Sequence, residues 1–263
     1  MLEAAVDPAT GPEALMIIEK TMHARWLSNT YLVADREGGH AVLIDTGGPR
    51  EPIVAAAERL RVTVTHVLCT HHHYDHVAHN ADYRRQYGCP VCAHQDEAAL
   101  LGGQVDVQLG ADDELSTGDL RVRALHIPGH TTGQLAFLVN DTHVFTGDTL
   151  FRGSVGGTRA PGHGTFDELQ HSVMDVLMKL PPATEVYPGH TQATTIAAEW
   201  EENPFVRAWR GLDAPGHQRC TAYGEPASLL VDAEDYDGGR KCWVEFDDGR
   251  RDVVPGSRVR RSS

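Results

Sequence analysis

The chain is short of positive charge. Its 263 residues include 23 Lys and Arg against 37 Asp and Glu, which gives a formal net charge of −14 at pH 7. A protein that holds nucleic acid needs a basic surface to meet the phosphates. The charge balance therefore predicts that nucleic acid is not a partner.

Long apolar runs are also missing. No stretch approaches the roughly 18 consecutive apolar residues that a membrane-spanning helix needs. The first residues, Met1 to Asp7, have neither the basic start nor the apolar middle of a signal peptide. We therefore predict a cytoplasmic protein with no membrane partner.

Cysteine is scarce and odd in number, with five in the chain. Without a secretion signal this count predicts free thiols. The Cys89-Pro90-Val91-Cys92 motif has no second pair, which favours buried thiols beside a turn over a redox or metal role. Cys220 and Cys242 could pair across the last segment of the chain.

Strand and helix patterns alternate over the first two hundred residues, and an apolar fraction of 41% is enough for a core. Apolar runs and periodicity predict an α/β arrangement. Strands are expected at 31–34, 41–44, 64–69, 91–93, 120–127, 135–139, 144–146 and 185–187, and helices at 50–61, 75–87, 95–101, 166–180 and 192–202.

The character changes near residues 212–216, after which only short strands follow, at 227–231, 241–246 and 251–254. An Asp247-Asp248-Gly249 turn joins two of them. We predict a larger domain at residues 1–213 and a small β-barrel-like module at 217–263.

The densest signal is the run Thr-His-His-His-Tyr-Asp-His at residues 70–76. Side chains alternate along an extended chain, so His71 and His73 point the same way and can bind one ion. Asp75 and His76 lie where the chain turns into a helix, so they diverge from the first pair and can bind a second ion. Imidazole and carboxylate ligands together suit zinc, iron or manganese.

Three later segments each place a polar residue at the end of a predicted strand: His130, Asp148 and His190. Glycines beside them allow tight turns and close backbone approach. His72 points away from its neighbours and is expected to support the site or face solvent. Asp45 either supports the site or caps the following helix, and both interpretations remain open.

The segments THHHYDH, HIPGHTTG, GDTLF and PGH together resemble the metallo-β-lactamase superfamily and, within it, the glyoxalase II-like (hydroxyacylglutathione hydrolase-like) branch. The resemblance covers roughly residues 20–210. It implies a four-layer αββα sandwich whose site lies at one edge between the sheets. It also implies two divalent metal ions, zinc first, with iron or manganese as alternatives.

The resemblance assigns the ligands residue by residue. One ion would be bound by His71, His73 and His130, the other by Asp75, His76 and His190, and Asp148 would bridge them. The segment after GDTLF departs from related bacterial sequences, because Gly157 stands where Arg is expected and Arg159 where Asp is expected. This loop borders the substrate pocket in the family, and a β-rich tail replaces the helical domain that helps glyoxalase II hold glutathione. Glutathione is therefore one candidate thiol among several.

The resemblance implies a metal-dependent hydrolase of a small-molecule thioester that acts through a metal-bridging hydroxide. Asp75 would orient the nucleophile as well as ligate. A thiol with a pKa of about 8.5 leaves as the thiolate without a strong general acid. This favours a thioester over a lactone or other ester, and over a β-lactam.

Two alternatives belong to other classes. A persulfide dioxygenase of the same fold would use one iron held by His71, His130 and Asp148. A non-catalytic scaffold would instead use residues 222–261 to dock a partner or a second subunit, through Tyr236, Trp243 and the basic end at 258–261.

Overall fold

The computed structural model describes residues 16–262. Its first sheet has six strands in the spatial order β1-β2-β3-β4-β5-β6. The strands are β1 (Ile17–Met22), β2 (Asn29–Ala34), β3 (His40–Ile44), β4 (Thr63–Leu68), β5 (Val91–His94) and β6 (Val107–Leu109). Strands β3 to β6 run parallel, so helical crossovers connect them. These are α1 (Arg50–Leu60), α2 (Tyr74–Val77), α3 (Asn80–Tyr87) and α4 (Gln95–Ala98).

The second sheet follows in the spatial order β14-β13-β10-β9-β8-β7, and the short hairpin β11–β12 stands apart from it. These strands are β7 (Glu114–Thr117), β8 (Leu120–His126), β9 (Leu135–Val139), β10 (His143–Gly147), β11 (Leu150–Phe151), β12 (Ser154–Val155), β13 (Glu185–Pro188) and β14 (Thr194–Thr195). Three helices, α5 (Phe166–His171), α6 (Ile196–Glu202) and α7 (Pro204–Trp209), complete this half.

The two sheets pack face to face on a fully buried apolar layer that includes Val42, Leu68 and Phe137. Helices α1 and α3 pack Ile53 and Tyr83 onto the outer face of the first sheet. Helices α5 and α7 cover the outer face of the second sheet. These four layers are the predicted αββα sandwich, so the fold class is confirmed.

The last five strands form an antiparallel sheet in the order β18-β17-β16-β15-β19. They are β15 (Gln218–Ala222), β16 (Glu225–Glu234), β17 (Arg240–Phe246), β18 (Arg251–Pro255) and β19 (Val259–Arg261). One face forms its own core with Leu229, Val244 and Phe246. The β-rich character of the C-terminal module is confirmed, whereas the division at residue 213 stays a prediction. All five cysteines are free and buried, so the pairing of Cys220 with Cys242 is wrong.

Residues on the other face of this C-terminal sheet join the core of the sandwich. Trp243 is 7% exposed and belongs to the cluster that contains Phe166 and Val253. The Trp243 and Phe166 rings are stacked, with centroids 5.4 Å apart and planes 5° apart. The sheet is therefore packed against α5.

Two predicted helices are interrupted by bonds to neighbouring loops. The expected helix at 75–87 divides after α2, because the His79 amide donates to the Thr46 carbonyl (3.2 Å) and the Thr46 hydroxyl donates to Asn80 Oδ1 (2.7 Å). The expected helix at 166–180 passes from α5 into a π-helical turn at Ser172–Val176 and a 3-10 turn at Leu177–Lys179. The change begins at Ser172, whose hydroxyl donates to the Pro128 carbonyl at 2.7 Å.

Other boundaries differ for local reasons. Helix α6 begins at 196 instead of 192, because Thr194 and Thr195 pair with β13 and Thr195 caps the helix. Helix α7 was not predicted, although Asn203-Pro204 is a helix-start signal. The Asn203 side-chain oxygen accepts bonds from the Phe205 and Val206 amides. Within residues 16–262, no helix combines the length and hydropathy that a bilayer crossing requires.

Replacing Trp243 by Ala is expected to lower the free energy of unfolding by about 3–5 kcal/mol, because it empties a buried site in the shared core. Leu212→Ala is the control, since that side chain is 52% exposed and its loss should change the value by no more than about 0.5 kcal/mol. Chemical denaturation of the purified proteins measures both. Equal values for the two variants would contradict the packing of this sheet on α5.

Candidate metal centre

Four loops that follow strands meet at one edge of the sandwich. Backbone hydrogen bonds join them directly: the Leu135 amide donates to the Thr70 carbonyl at 2.9 Å, and the Gly189 amide to the Gly147 carbonyl at 2.7 Å. Strands β10 and β13 are parallel, so their carboxyl ends place Asp148 and His190 side by side. The edge expected from the strand ends is where the predicted ligands lie.

The first set of ligands consists of His71, His73 and His130. His73 Nδ1 lies 3.0 Å from His71 Nε2 and 3.1 Å from His130 Nε2. One nitrogen from each ring lies within 4.8 Å of the other two. The structure therefore brings these three predicted ligands together.

The second set consists of Asp75, His76 and His190. His76 Nε2 lies 3.3 Å from His190 Nε2, and Asp75 Oδ2 lies 3.6 Å and 3.7 Å from these two nitrogens. All three ligand atoms again fall within 4.8 Å of one another. Asp75 is the open member, with a side chain that is 30% exposed.

Asp148 lies between the two sets. Its Oδ1 is 3.3 Å from His76 Nε2, and its Oδ2 is 3.2 Å from His190 Nε2 and 3.6 Å from His130 Nε2. The carboxylate is buried, and Oδ1 has no hydrogen-bond partner among the described residues. A buried carboxylate oxygen without a donor is a position that a cation would satisfy.

Each histidine of the first set has one ring nitrogen that points away from the other ligands, here called its outer nitrogen. Each outer nitrogen lies beside an oxygen that can only accept a hydrogen bond from it. His130 Nδ1 donates to the Gly157 carbonyl and His73 Nε2 to the Pro161 carbonyl, both at 2.9 Å. His71 Nδ1 lies 3.0 Å from the Thr70 hydroxyl, which donates its own proton to Asp45. These bonds fix the tautomers, so His71 Nε2, His73 Nδ1 and His130 Nε2 each turn a lone pair inward.

Asp45 supports both sets at once. Its Oδ2 accepts from the Thr70 hydroxyl at 2.8 Å and from His76 Nδ1 at 2.9 Å, and its Oδ1 accepts from the Thr70 amide at 2.8 Å. The N-cap position of helix α1 is occupied by Pro49, and no side chain caps the helix. Of the two roles left open for Asp45, the structure therefore shows support of the site.

The inward lone pair of His73 lies only 3.0 Å and 3.1 Å from the nitrogens of His71 and His130, and such lone pairs repel one another unless a cation lies between them. Two nitrogens that ligate one tetrahedral zinc ion lie about 3.3 Å apart. The donor set and its spacing therefore fit a divalent metal. Among residues 16–262, the groups able to hold one all lie at this edge.

Burial sets the protonation of the first set. It lowers the pKa of His130 to about 3 and the pKa of His71 well below its usual range, because an imidazolium loses hydration in the interior. Both rings are therefore neutral, which is the form that ligates a metal.

The pKa values of Asp148 and of His76 in the second set depend on each other, because the two groups carry opposite charges. Burial alone would raise the pKa of Asp148, but His190 and His76 outweigh it and hold that pKa well below the usual carboxyl range. Burial alone would lower the pKa of His76, but Asp148 and Asp45 outweigh it and raise that pKa well above the usual range. His76 thus carries a proton in the place that a bound cation would take.

Close approach at the centre depends on Gly189. A Cβ atom built there would lie 2.3 Å from Asp148 Oδ1 and 2.7 Å from His76 Cε1. Any side chain at this position would push the carboxylate off the second set. The glycine of the PGH segment is therefore required by space, as expected from the sequence.

Three groups that support the ligands were not predicted from the sequence. Glu97 accepts from the His72 amide at 2.8 Å and from the Gly133 amide at 3.0 Å, and it also contacts His72 Nδ1. This buried carboxylate ties the histidine cluster to the loop of His130, and nothing in its own sequence context marks it. The carbonyls of Gly157 and Pro161 were missed as well, because a backbone acceptor leaves no residue signature.

Of the two unusual residues in the loop at 153–162, Gly157 accepts from the ligand His130 through its carbonyl, whereas the Arg159 side chain is directed to the C-terminal sheet. Arg159 forms an ion pair with Asp252 of β18, with Nη2 and Oδ2 2.6 Å apart. Both aromatics of the predicted docking pair contact the sandwich: the buried Trp243 packs on Phe166, and the partly buried Tyr236 stacks on His190 with centroids 4.2 Å apart.

Comparisons with known sequences agree with this geometry. A sequence profile described as the Metallo-beta-lactamase superfamily matches residues 24–190. An uncharacterized protein from Mycobacterium bovis is 36% identical over 208 residues, which cover 68% of this chain and 92% of that protein.

Two further relatives carry functional names. A protein named Hydroxyacylglutathione hydrolase, from Pelagibacter ubique, is 32% identical over 162 residues, which cover 61% of this chain and 65% of the relative. A protein from Arabidopsis thaliana, named Hydroxyacylglutathione hydrolase cytoplasmic, is 33% identical over 173 residues, which cover 61% of this chain and 62% of the relative. The chain thus spans less than two thirds of the length of these two relatives.

Solved structures with the same fold include ETHE1 from Myxococcus xanthus, which is 31% identical with a TM-score of 0.65 over 76% of this chain and 92% of that one. TTHA1623, solved in a di-iron-bound form, is 31% identical with a TM-score of 0.61, over 71% of this chain and 99% of that one. BLEG-1, described as a B3 metallo-beta-lactamase, is 27% identical with a TM-score of 0.65 over 72% and 99%.

Asp45→Asn is expected to weaken metal binding about 10–100-fold, because Asn keeps the shape of the side chain but offers one acceptor oxygen where Asp45 uses two. Asn also tolerates the left-handed backbone of this position, where φ is 53°. Competition with a chromophoric chelator measures the affinity. The control Asp82→Asn removes a partly exposed carboxylate outside the centre, and an equal loss in both variants would argue against the support role.

Proposed function

Because the chain belongs to the metallo-beta-lactamase superfamily, whose members bind divalent metals and are mostly hydrolases, we propose that it is a metal-dependent hydrolase of small-molecule thioesters. The observation that carries the proposal is the position of Asp148, whose two oxygens lie within 3.6 Å of nitrogens from both ligand sets. Relatives named hydroxyacylglutathione hydrolase support the thioester as the substrate class.

The proposed cofactors are two divalent ions, zinc first. His71, His73 and His130 would hold one, Asp75, His76 and His190 the other, and Asp148 both. Iron and manganese suit the same ligands, and the di-iron form of TTHA1623 supports iron as an alternative to zinc. When bound, such ions lower the pKa of a coordinated water to about 7 and polarise a carbonyl oxygen.

Asp75 is the proposed catalytic residue. Its Oδ2 faces His76 and His190, which leaves its second oxygen to accept a hydrogen bond from the attacking water and orient it. The partial exposure of the Asp75 side chain supports this role. Asp148 is buried among histidines that keep it ionised, so its role is to hold charge and not to move a proton.

The leaving group decides among the possible substrates. A thiol with a pKa of about 8.5 departs as the thiolate at neutral pH and needs no proton donor. A lactone or other ester needs more help and comes second. A β-lactam is a weaker candidate, although the fold is shared with BLEG-1.

A single-iron dioxygenase is the second candidate function, and the structural similarity to ETHE1 supports it. It would use His71, His130 and Asp148 and would leave Asp75, His76 and His190 without a role. The close spacing of those three groups favours the two-ion hydrolase.

Three smaller proposals accompany the function. A cytoplasmic setting is supported by the name of the Arabidopsis relative. The division into residues 1–213 and 217–263 is supported by the separate core of the last sheet. A docking role for the C-terminal module would fall to the basic end at 258–261, because Tyr236 and Trp243 already contact the sandwich.

Asp148→Ala is expected to abolish thioester cleavage, with a loss of at least about 10³-fold in kcat/KM, and to lower the metal content per chain. The reason is that it removes the one group shared by both ligand sets. Metal analysis together with a thiol-release assay measures both effects. Asp141→Ala, an exposed carboxylate on a turn, is the control, and a rate for Asp148→Ala equal to wild type would refute the proposal.

Metal quantification followed by a substrate panel separates the two candidate enzymes. We expect about two ions per chain, thiol release from thioesters, loss of activity with a chelator and recovery with zinc. Lactones and a β-lactam belong in the same panel. One iron per chain with thiol-dependent oxygen uptake would instead identify the dioxygenase.

A further inference from the structure

The C-terminal sheet reaches the candidate metal centre at two places. Tyr236, in the turn between β16 and β17, stacks on the ligand His190. Strand β18 lies along the loop that follows Gly157, whose carbonyl holds His130. We propose that this sheet positions ligands of both ion sites and is an integral part of the metal centre, an inference that rests on the proposed two-ion function.

His190 differs from the other four histidine ligands. Its outer nitrogen, Nδ1, is buried and has no hydrogen-bond partner among the described residues, whereas each of the others has an oxygen acceptor. The ring plane of His190 is instead set by Tyr236, with centroids 4.2 Å apart and planes 11° apart. Phe151 meets the same ring at 5.9 Å.

The Tyr236 side chain is itself held against the sandwich. Asp235 Oδ1 accepts from the Tyr236 amide and from the Ser154 hydroxyl, both at 2.9 Å. Asp235 Oδ2 pairs with Lys241 Nζ at 3.0 Å, and both side chains are only 8% exposed. A buried ion pair of this kind, bonded to a hydroxyl of β12, fixes the turn on the ligand side of the sheet.

The second contact acts on the other ligand set. The Thr158 amide donates to the Val253 carbonyl at 2.9 Å, and the Val253 amide donates to the Thr158 hydroxyl at 3.0 Å. Asp252 accepts from the Thr158 hydroxyl at 2.8 Å and from Arg159 Nε at 2.7 Å. The loop residues are thus bound to β18 just after Gly157.

This attachment places two carbonyls that the first ligand set needs. Gly157 and Pro161 flank the attached residues, and their carbonyls accept from His130 Nδ1 and His73 Nε2. Movement of the loop would free both rings to turn. Arg159 therefore acts as a tether between the loop and β18.

The two contacts serve different ions, which makes the inference testable. Tyr236 is a positioning residue for the ion bound by Asp75, His76 and His190. Asp252 is a positioning residue for the ion bound by His71, His73 and His130. Supporting groups of metal ligands typically contribute 10–100-fold in metal affinity, so each loss should lower affinity at one site only.

Tyr236→Leu and Tyr236→Phe test the first contact in the full chain. The Leu variant keeps apolar bulk but loses the flat ring, and it should retain about one zinc ion per chain after dialysis against a chelator that leaves the wild type with two. The Phe variant keeps the ring and should retain two. A side chain that merely fills space would leave both variants alike, and that result would overturn the positioning role.

Asp252→Ala tests the second contact, with Asp248→Ala as the control that removes an exposed carboxylate from the same sheet. Zinc titration should show about a tenfold or greater loss of affinity at one site in Asp252→Ala and none in Asp248→Ala. In thioester hydrolysis both positioning variants should lower kcat more than they raise KM. Unchanged affinity in Asp252→Ala would overturn this half of the proposal.

Trp243→Ala separates positioning from general loosening, because it weakens the packing of the same sheet without touching a ligand. Circular dichroism checks that each variant is folded at the temperature of measurement. Folded Trp243→Ala should keep both ions, and a loss equal to that of Tyr236→Leu would overturn the inference. A wild-type protein that binds no metal would refute the proposed function itself, whereas two ions in both wild type and Tyr236→Leu would overturn only the role of Tyr236.

Discussion

The electrostatic position of Asp148 is the constraint on which the rest of the centre depends. Its carboxylate is buried, yet His190 and His76 of the second ligand set hold its pKa well below the usual carboxyl range. One oxygen remains without a donor, and the lone pairs of the first ligand set converge close by. An ionised carboxylate and facing lone pairs do not persist in a protein interior without positive charge. The strand ends, the glycine at 189 and the supporting hydrogen bonds all serve to keep this arrangement in place.

Asp45 makes the two ligand sets mechanically dependent on each other. It binds His76 directly and His71 through the Thr70 hydroxyl, so one carboxylate fixes one histidine in each set. The same residue bonds the Thr70 amide and thereby fixes the start of the ligand loop. A displacement at either set is therefore transmitted to the other through three short hydrogen bonds.

Local rules, namely apolar strands with polar residues at their ends, predicted the α/β arrangement and the candidate ligands. The four-layer sandwich and the grouping of the ligands into two sets came from the family resemblance of the motifs. The sequence could not predict what depends on distant partners. Nothing near Glu97 in the chain marks it as the acceptor for the His72 and Gly133 amides. Helix α3 separates from α2 because of Thr46, more than thirty residues earlier. Tyr236 was singled out as an aromatic for docking, whereas its partner is His190.

The C-terminal sheet explains the departure from related sequences at residue 159. A Cβ atom built at Gly157 would lie 3.4 Å from the Val253 carbonyl, at the limit of ordinary van der Waals contact, so space alone does not exclude Arg at this position. An Asp at 159 would remove the ion-pair partner of Asp252 and put a like charge in its place. Arg159 is thus the residue type that suits the carboxylate of β18.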